Sequence, residues 1–332
     1  MHISFMLSFG VVIPTKTSMK YLPGHIESLA AWIDLAEQVV VVDSFSKDGT
    51  VDYLKKNLRH PQIKFVEHPP GLYASWNYGV SHITSEFCYI STVGDSITLA
   101  GIEHLAASAS RLKCDVLVSR PDFVNETGQP CAGPEWPLDD LVKRLKLHEP
   151  VRLPSAVIVA TALLHTGGAL TGSCASDLFR SSILQKHPFP LDFGVAGDGA
   201  WSLQNAGRVN WAVTSEKVTT FRRHPPTASV REIKEGEIAD RYAKTASKMV
   251  NDWLTNREAS FPDQIIADMK KLLAVSVEYE QRRRQYNAFR KRQWPWSLNP
   301  AAWLARVRRN QLRRQAHGLM ESICQASRRL LC

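Results

Sequence analysis

The chain has 332 residues, 44% of them hydrophobic, with a formal net charge of +9. That is enough for one large α/β domain and an appendage, and no apolar run approaches the roughly 18 residues of a membrane span. The charge is uneven: residues 281–332 hold thirteen Arg or Lys against Glu321 alone, while the first 280 residues carry 28 basic and 31 acidic side chains, a balance of −3. The globular part is therefore close to neutral, and the basicity belongs to the C-terminal segment.

Met1 to Val12 is apolar but lacks a basic leading region, so it reads as a first strand and not a signal peptide. Phe9 to Ile13 is a strand that stops at Pro14-Thr15. Apolar positions Ile26, Leu29, Ala30 and Ile33 predict a helix over Ile26 to Glu37. Val39 to Val42 are four β-branched residues in a row, the signature of a strand buried on both faces, and they end at Asp43. A polar turn through Asp48 and Gly49 leads to a helix with Val51, Leu54 and Leu58 on one face. Ile63 to Val66 is a third strand, Tyr73 to Ile83 a helix whose Trp76 belongs to the core face, and Phe87 to Ser91 a fourth strand. Thr92-Val93-Gly94-Asp95-Ser96 follows it, then a helix through Ile102 to Leu112 and a strand over Asp115 to Ser119.

Strands alternating with helices over residues 5–120 predict a mostly parallel sheet with right-handed crossovers. Ligands bind such sheets at the carboxyl ends of the strands, so Asp43 and Asp95 should share one edge. No glycine-rich phosphate loop is present, so a phosphate-bearing ligand would need a metal or basic side chains. Prolines break residues 121–170 into short pieces without a readable pattern. The six cysteines (Cys88, Cys114, Cys131, Cys174, Cys324, Cys332) have no metal or redox spacing. Cys88 and Cys114 sit in apolar runs and read as buried free thiols, in keeping with a reducing compartment.

Val12-Ile13-Pro14-Thr15, the Asp43 to Thr50 stretch, Trp76-Asn77-Tyr78-Gly79 and Gly94-Asp95, taken in this order, resemble the motifs of family 2 glycosyltransferases. So do Gly172-Ser173, Leu178-Phe179-Arg180, Gly197-Asp198 and Phe221-Arg222-Arg223-His224 further on. The resemblance covers about residues 8–229. It implies a GT-A α/β domain over residues 1–232, followed by a basic helical extension over 233–332.

The same resemblance implies transfer of a sugar, with inversion, from a nucleotide-sugar to a glycan or lipid-linked acceptor, as in cell-surface polysaccharide synthesis. Asp198 would be the catalytic base. Pro14, Thr15, Asp43, Asp48, Asn77, Gly94 and Arg223 would hold the nucleotide-sugar. Asp95 and His224 would hold Mg²⁺ or Mn²⁺ against its diphosphate. Each position also has a structural reading: Asp48 as a turn or cap residue, Asp198 as a helix cap, Pro14 as a strand end. The chain departs from the family at two places. Thr92, Val93 and Gly94 are neutral where the family has further acidic residues, and Gly197 replaces the Glu usual before the base. The first departure motivates an alternative, a non-catalytic nucleotide- or glycan-binding relative.

Ile233 to Glu280 predicts a long polar-faced helix, and basic residues interleaved with Trp and Leu beyond it suit an anionic membrane surface. A cytoplasmic protein peripheral to the inner face is the expectation. A basic-tail membrane adaptor is the rival reading, and a nucleic-acid partner is not expected because no such fold precedes the tail.

Overall fold

The four valines of Val39–Val42 explain the architecture. Val40 and Val42 point into one apolar cluster and Val39 and Val41 into another, so the strand is clamped between two layers. The computed structural model describes residues 7–134, 136–223, 235–256, 261–290 and 300–328.

In chain order the first half contains β1 (Phe9–Thr15), α1 (Leu22–Ala30), β2 (Gln38–Asp43), α2 (Thr50–Asn57), β3 (Ile63–Glu67), α3 (Leu72–Val80), β4 (Phe87–Ile90), β5 (Ser96–Ile97), α4 (Leu99–Leu112) and β6 (Val116–Val118). Then come β7 (Asp122–Val124), α5 (Pro137–Leu145), β8 (Val151–Arg152), α6 (Ser155–Leu164), β9 (Asp177–Arg180), α7 (Ser181–Lys186), α8 (Gly197–Asn205), β10 (Trp211–Val213) and β11 (Thr219–Arg222). Three helices close the described chain: α9 (Glu235–Thr255), α10 (Asp263–Arg290) and α11 (Pro300–Ser327).

The main sheet has the order β3-β2-β1-β4-β9-β6-β10-β8, and a small sheet has the order β5-β11-β7. The first four strands are parallel, as is the β6–β10 pair. β9 enters antiparallel to both β4 and β6, and β8 is antiparallel to β10. The sheet is therefore mixed in its second half, where the proline-rich sequence carried no readable alternation.

Pro14 does not end its strand. Phe9 and Thr15 direct their carbonyls to the β2 side and Val12 directs its carbonyl to the β4 side, so Pro14 faces β4. The β1–β4 pairing stops at Val12–Ile90, and the missing N–H of Pro14 breaks no ladder bond. The first helix also differs from its predicted span. α1 opens at Leu22, four residues earlier, with Pro23 in its first turn, where a missing N–H is harmless. The chain leaves it before Trp32, whose buried indole N–H donates to Ile97 O at 3.1 Å.

The C-terminal helices are part of the fold. Tyr242, Met249, Val250 and Trp253 of α9 share one core with Trp201 of α8 and Val159 of α6, as do Ile265 and Met269 of α10 and Leu312, Ala316 and Met320 of α11. The predicted single helix over Ile233 to Glu280 is two helices, α9 and α10, with Pro262 just before the second. Much of the basic sequence is paired: Arg308 makes a two-pronged bond to Glu278 at 2.8 Å, and Arg283 binds Glu280. No helix among the described residues is long and apolar enough to cross a membrane.

Candidate active site

β1, β2 and β4 are adjacent and parallel, so Thr15, Asp43 and the turn after Ile90 emerge at one edge. Thr15 lies opposite Asp43 in register and donates its hydroxyl to the Asp43 carboxylate at 2.9 Å. Ser46 adds its N–H at 2.8 Å and its hydroxyl at 2.6 Å. Asp43 is thus buried and already serves three donors of its own neighbourhood. Pro14, half-buried, precedes Thr15 on the same strand end.

Asp48 ties two loops together. It accepts from the Thr50 hydroxyl at 2.6 Å, from Thr50 N–H at 3.2 Å, and from Met19 N–H at 3.1 Å. Burial works upward on its carboxyl, but the Thr50 and Met19 bonds outweigh it and hold the group below its ordinary value. Gly49, with φ of 88°, supplies the left-handed turn that starts α2. Asn77 engages the backbone of Phe189 with both ends of its amide, at 2.8 and 2.9 Å. It docks α3 against the segment after α7. Trp76 is buried against Tyr73 and Phe189, as its helical spacing predicted.

Asp95 is 6% exposed. One of its oxygens accepts Arg222 N–H at 2.9 Å, and the other accepts the Thr92 hydroxyl at 2.5 Å and the Ser173 hydroxyl at 3.5 Å. Burial pushes this carboxyl up to about 6 despite those donors. Gly94, with φ of 105°, makes the turn and offers its carbonyl to Arg222 Nε at 3.3 Å. The Arg222 guanidinium also binds Glu126 O at 2.9 Å and lies over the Tyr21 ring, so it clamps the small sheet onto the 94–95 turn. Arg223 is exposed and donates to Ala132 O at 3.0 Å. His224 lies outside the described residues.

Asp198 sits in the first turn of α8, where the helix dipole favours an anion. Its carboxylate accepts the following Gly199 N–H at 2.7 Å. The side chain is partly open to solvent, yet its surroundings are dry enough that burial pushes the carboxyl up to about 6. The Tyr73 hydroxyl, which donates to Val195 O at 3.0 Å, stands close enough to moderate that rise. Tyr242 of α9 donates to Ala196 O at 2.9 Å, so the C-terminal extension buttresses the turn that carries Asp198.

The sequence reading passed over three residues here. Asp177 is fully buried in β9, and neither carboxylate oxygen has a hydrogen-bond partner among the described residues. Burial, reinforced by the Asp198 charge, holds it well above the ordinary carboxylate range. His25 bonds Asp95 O at 3.0 Å and Ser91 Oγ at 3.2 Å, and burial lowers it to about 4, leaving a neutral ring beneath the turn. Tyr73 faces Asp198. Asp177 was visible only as an acid before the apolar pair Leu178-Phe179, and nothing local marked His25.

Asp95 and Asp198 approach one another through a shared segment: Ser173 reaches Asp95, and the adjacent Cys174 feels the charges of Asp177 and Asp198. Asp43 joins from the other side, through Ser44, whose hydroxyl lies 3.2 Å from that of Ser75 on the same helix as Tyr73. Among the described residues no group of three or more His, Cys, Asp or Glu side chains could enclose a metal ion. Asp95 fits a different arrangement, one carboxylate that takes a cation only when a ligand's phosphates supply the remaining oxygens. A cation there would also relieve a carboxyl that burial now pushes up.

A GT-A glycosyltransferase fold with acidic groups along this edge is what the chain presents. Residues 10–156, somewhat under half of the chain, match Glycosyl transferase family 2. It is 30% identical over 132 residues to poly(ribitol-phosphate) beta-N-acetylglucosaminyltransferase TarS of Staphylococcus aureus, strain Mu50 / ATCC 700699, and equally to TarS of strain MW2. Each match takes in 38% of this chain and 23% of the relative, so the chain matches under a quarter of the length of these curated relatives. The fold is similar to that of S. aureus TarS 1-349 in complex with UDP-GlcNAc, with a TM-score of 0.64 at 16% identity over 97% of this chain and 92% of that one. The crystal structure of S. aureus TarS gives 0.55 at 17% identity, over 94% of this chain and 55% of that one.

Proposed function

We propose that the chain transfers a sugar, with inversion, from a nucleotide-sugar to a hydroxyl of a glycan or lipid-linked acceptor, as in cell-surface polysaccharide synthesis. The observation that carries this is Asp198, a desolvated but reachable carboxylate on the same edge as Asp95. Above pH ~6 Asp198 is ionised and takes the proton of the acceptor hydroxyl. The acceptor oxygen bonds to the anomeric carbon as the bond from that carbon to the diphosphate breaks, and the nucleoside diphosphate leaves. Thr15, Pro14 and Asp43 are assigned to the nucleotide's base and ribose. Asp48, Asn77, Gly94 and Arg223 are assigned to the rest of the donor. For Asp43, Asp48 and Asn77 the donor would bind a loop frame already held by internal hydrogen bonds.

A divalent cation, Mg²⁺ or Mn²⁺, held by Asp95 together with His224, would neutralise the departing diphosphate. UDP-GlcNAc is the first donor to test, because a structural neighbour binds it. Calorimetric titration with UDP should show binding that strengthens with Mn²⁺ and weakens in Asp95→Ala. Binding indifferent to both would leave a nucleotide-binding relative without the proposed chemistry.

A cytoplasmic protein peripheral to a membrane remains the proposed setting. Trp303 and Leu304 stand 60% and 59% exposed on α11, beside the exposed Arg306. Replacing both apolar residues with Ser should reduce sedimentation with anionic vesicles; no reduction removes this face as the docking surface.

A further inference from the structure

A cavity of about 450 Å³ opens where α5 and α6 meet α10 and α11. It shares none of the residues assigned above to donor, metal or base. Its walls carry three carboxylates, but each is already engaged. Asp139 accepts Trp136 N–H at 3.0 Å and lies 2.7 Å from Arg120 Nε. Asp140 holds Arg144 at 2.8 Å and His165 at 3.1 Å. Burial works upward on Asp140, yet those two partners outweigh it and keep the group ionised. Glu280 holds Arg283 at 2.8 Å.

The cations are different. Lys143 from α5 and Arg313 from α11 both line the cavity, and neither has an ion-pair partner among the described residues. Ser276, 93% buried, is also among the lining residues, and its hydroxyl has no hydrogen-bond partner among the described residues. A buried hydroxyl without a partner costs stability unless a ligand or water satisfies it. Leu163, Ala316 and the Trp136 ring complete the lining with apolar surface.

We propose that this cavity binds a phosphate ester: Lys143, Arg313 and Ser276 take the phosphoryl oxygens, and the apolar wall takes the carbon backbone. Charge decides the sign, because the acids are neutralised within the protein and the two cations are not. The volume suits one polyol-phosphate unit or a lipid headgroup. Trp136 connects the site to the edge that carries Asp95. Its ring packs on Phe123 and Phe221, and it fills the space where a side chain at Gly172 would stand, next to Ser173. Phe221 precedes Arg222, whose N–H binds Asp95. A ligand that shifts Trp136 would thus press on two of the three donors to that carboxylate, Arg222 and Ser173.

The test uses the full chain and glycerol 3-phosphate as probe, followed by calorimetry or by chemical-shift titration. Wild-type protein should bind it, and the double variant Lys143→Gln/Arg313→Gln should weaken binding at least tenfold with UDP affinity unchanged. Ser276→Ala should also weaken probe binding while leaving the melting temperature level or higher, since the hydroxyl has no partner to lose. Absence of probe binding, or equal binding by wild type and both variants, overturns the proposal. A parallel arm with phosphatidylglycerol vesicles identifies the source: the same variant dependence there assigns a lipid headgroup, and dependence with the soluble ester alone assigns a free or polymeric phosphate. The outcome is independent of sugar transfer, which is read separately through Asp198.

Discussion

Along the edge formed by β1, β2 and α3, Asp43, Asp48 and Asn77 already have their partners; along the part formed by the 92–95 turn, the 173–177 segment and α8, carboxylates are buried beyond what their donors compensate. Asp43 serves three hydrogen bonds and Asp48 three, and Asn77 closes both ends of its amide on Phe189. Asp95 and Asp198 are each pushed up to about 6, and Asp177 higher still, with no hydrogen-bond partner for either oxygen among the described residues. The first group is a frame whose energy is realised on folding. The second holds charge at a cost, which is how a protein keeps a base or cation ligand reactive. Substitutions should therefore act oppositely in the two groups: loss of stability in the first, loss of chemistry without loss of stability in the second.

The largest expected effect lies in the second group. Asp198→Asn should lower the turnover number by about 10²–10⁴-fold, the usual worth of a positioned general base. Its thermal midpoint should stay level or rise. In the wild type the rate should fall on the acid side with an apparent pKa near 6, because protonation removes the base. Single-turnover kinetics across pH checks both; a variant with full activity assigns the proton transfer elsewhere. Next in size is Asp43→Ala, which strands the Thr15 and Ser46 donors near a buried strand end. It should cost about 2 kcal/mol of stability, measured by denaturant unfolding. A neutral result would mean that Asp43 is as poorly compensated as Asp95, and the division between the two groups would fail.

The first half of the fold was legible because its signals are local. Four consecutive valines fix a doubly covered strand, and Trp76 and Val80 mark a buried helix face, although α3 ends at Val80 and Ile83 of the predicted span is buried beyond it. The second half was less so, because β8, β9 and β10 are two to four residues long and take their partners from distant segments. β9 sits between β4 and β6 only through tertiary pairing, so no periodicity could announce its antiparallel direction. The acidic positions Asp43, Asp48, Asp95 and Asp198 could be picked out by their places after strands or before a helix. What could not be read was their state of compensation, which depends on Thr15, Met19, Arg222 and Tyr73 arriving from elsewhere. Asp177 and His25 were invisible for the same reason: burial alone makes them unusual. The C-terminal segment, a basic helical extension by its sequence, also contributes to the core. Leu312, Ala316 and Met320 recur at helical spacing, and their side chains belong to the same core as α6.

The smallest effect discriminates most finely, since its sign changes the interpretation. Asp95 has a folded-state value of about 6 against an ordinary 3.8, so the folded protein binds this proton more tightly than the unfolded chain. Wild-type stability must then fall as pH rises from about 4 to about 6, by roughly 3 kcal/mol for a two-unit gap taken alone. Asp95→Asn removes that penalty. It also weakens the bonds from Arg222 N–H and the Thr92 hydroxyl, at a cost of about 2 kcal/mol for donors facing a charged acceptor. The net should be a gain of about 1 kcal/mol above pH 6 that turns into a loss of about 2 kcal/mol below pH 4, where the wild-type carboxyl is protonated and only the weakened bonds remain. Paired denaturant curves at the two pH values measure it. A variant less stable than wild type at pH 7.5 would show that the donors fully compensate the Asp95 charge, which would place it with Asp43 in the finished frame and remove the reason to expect a cation there.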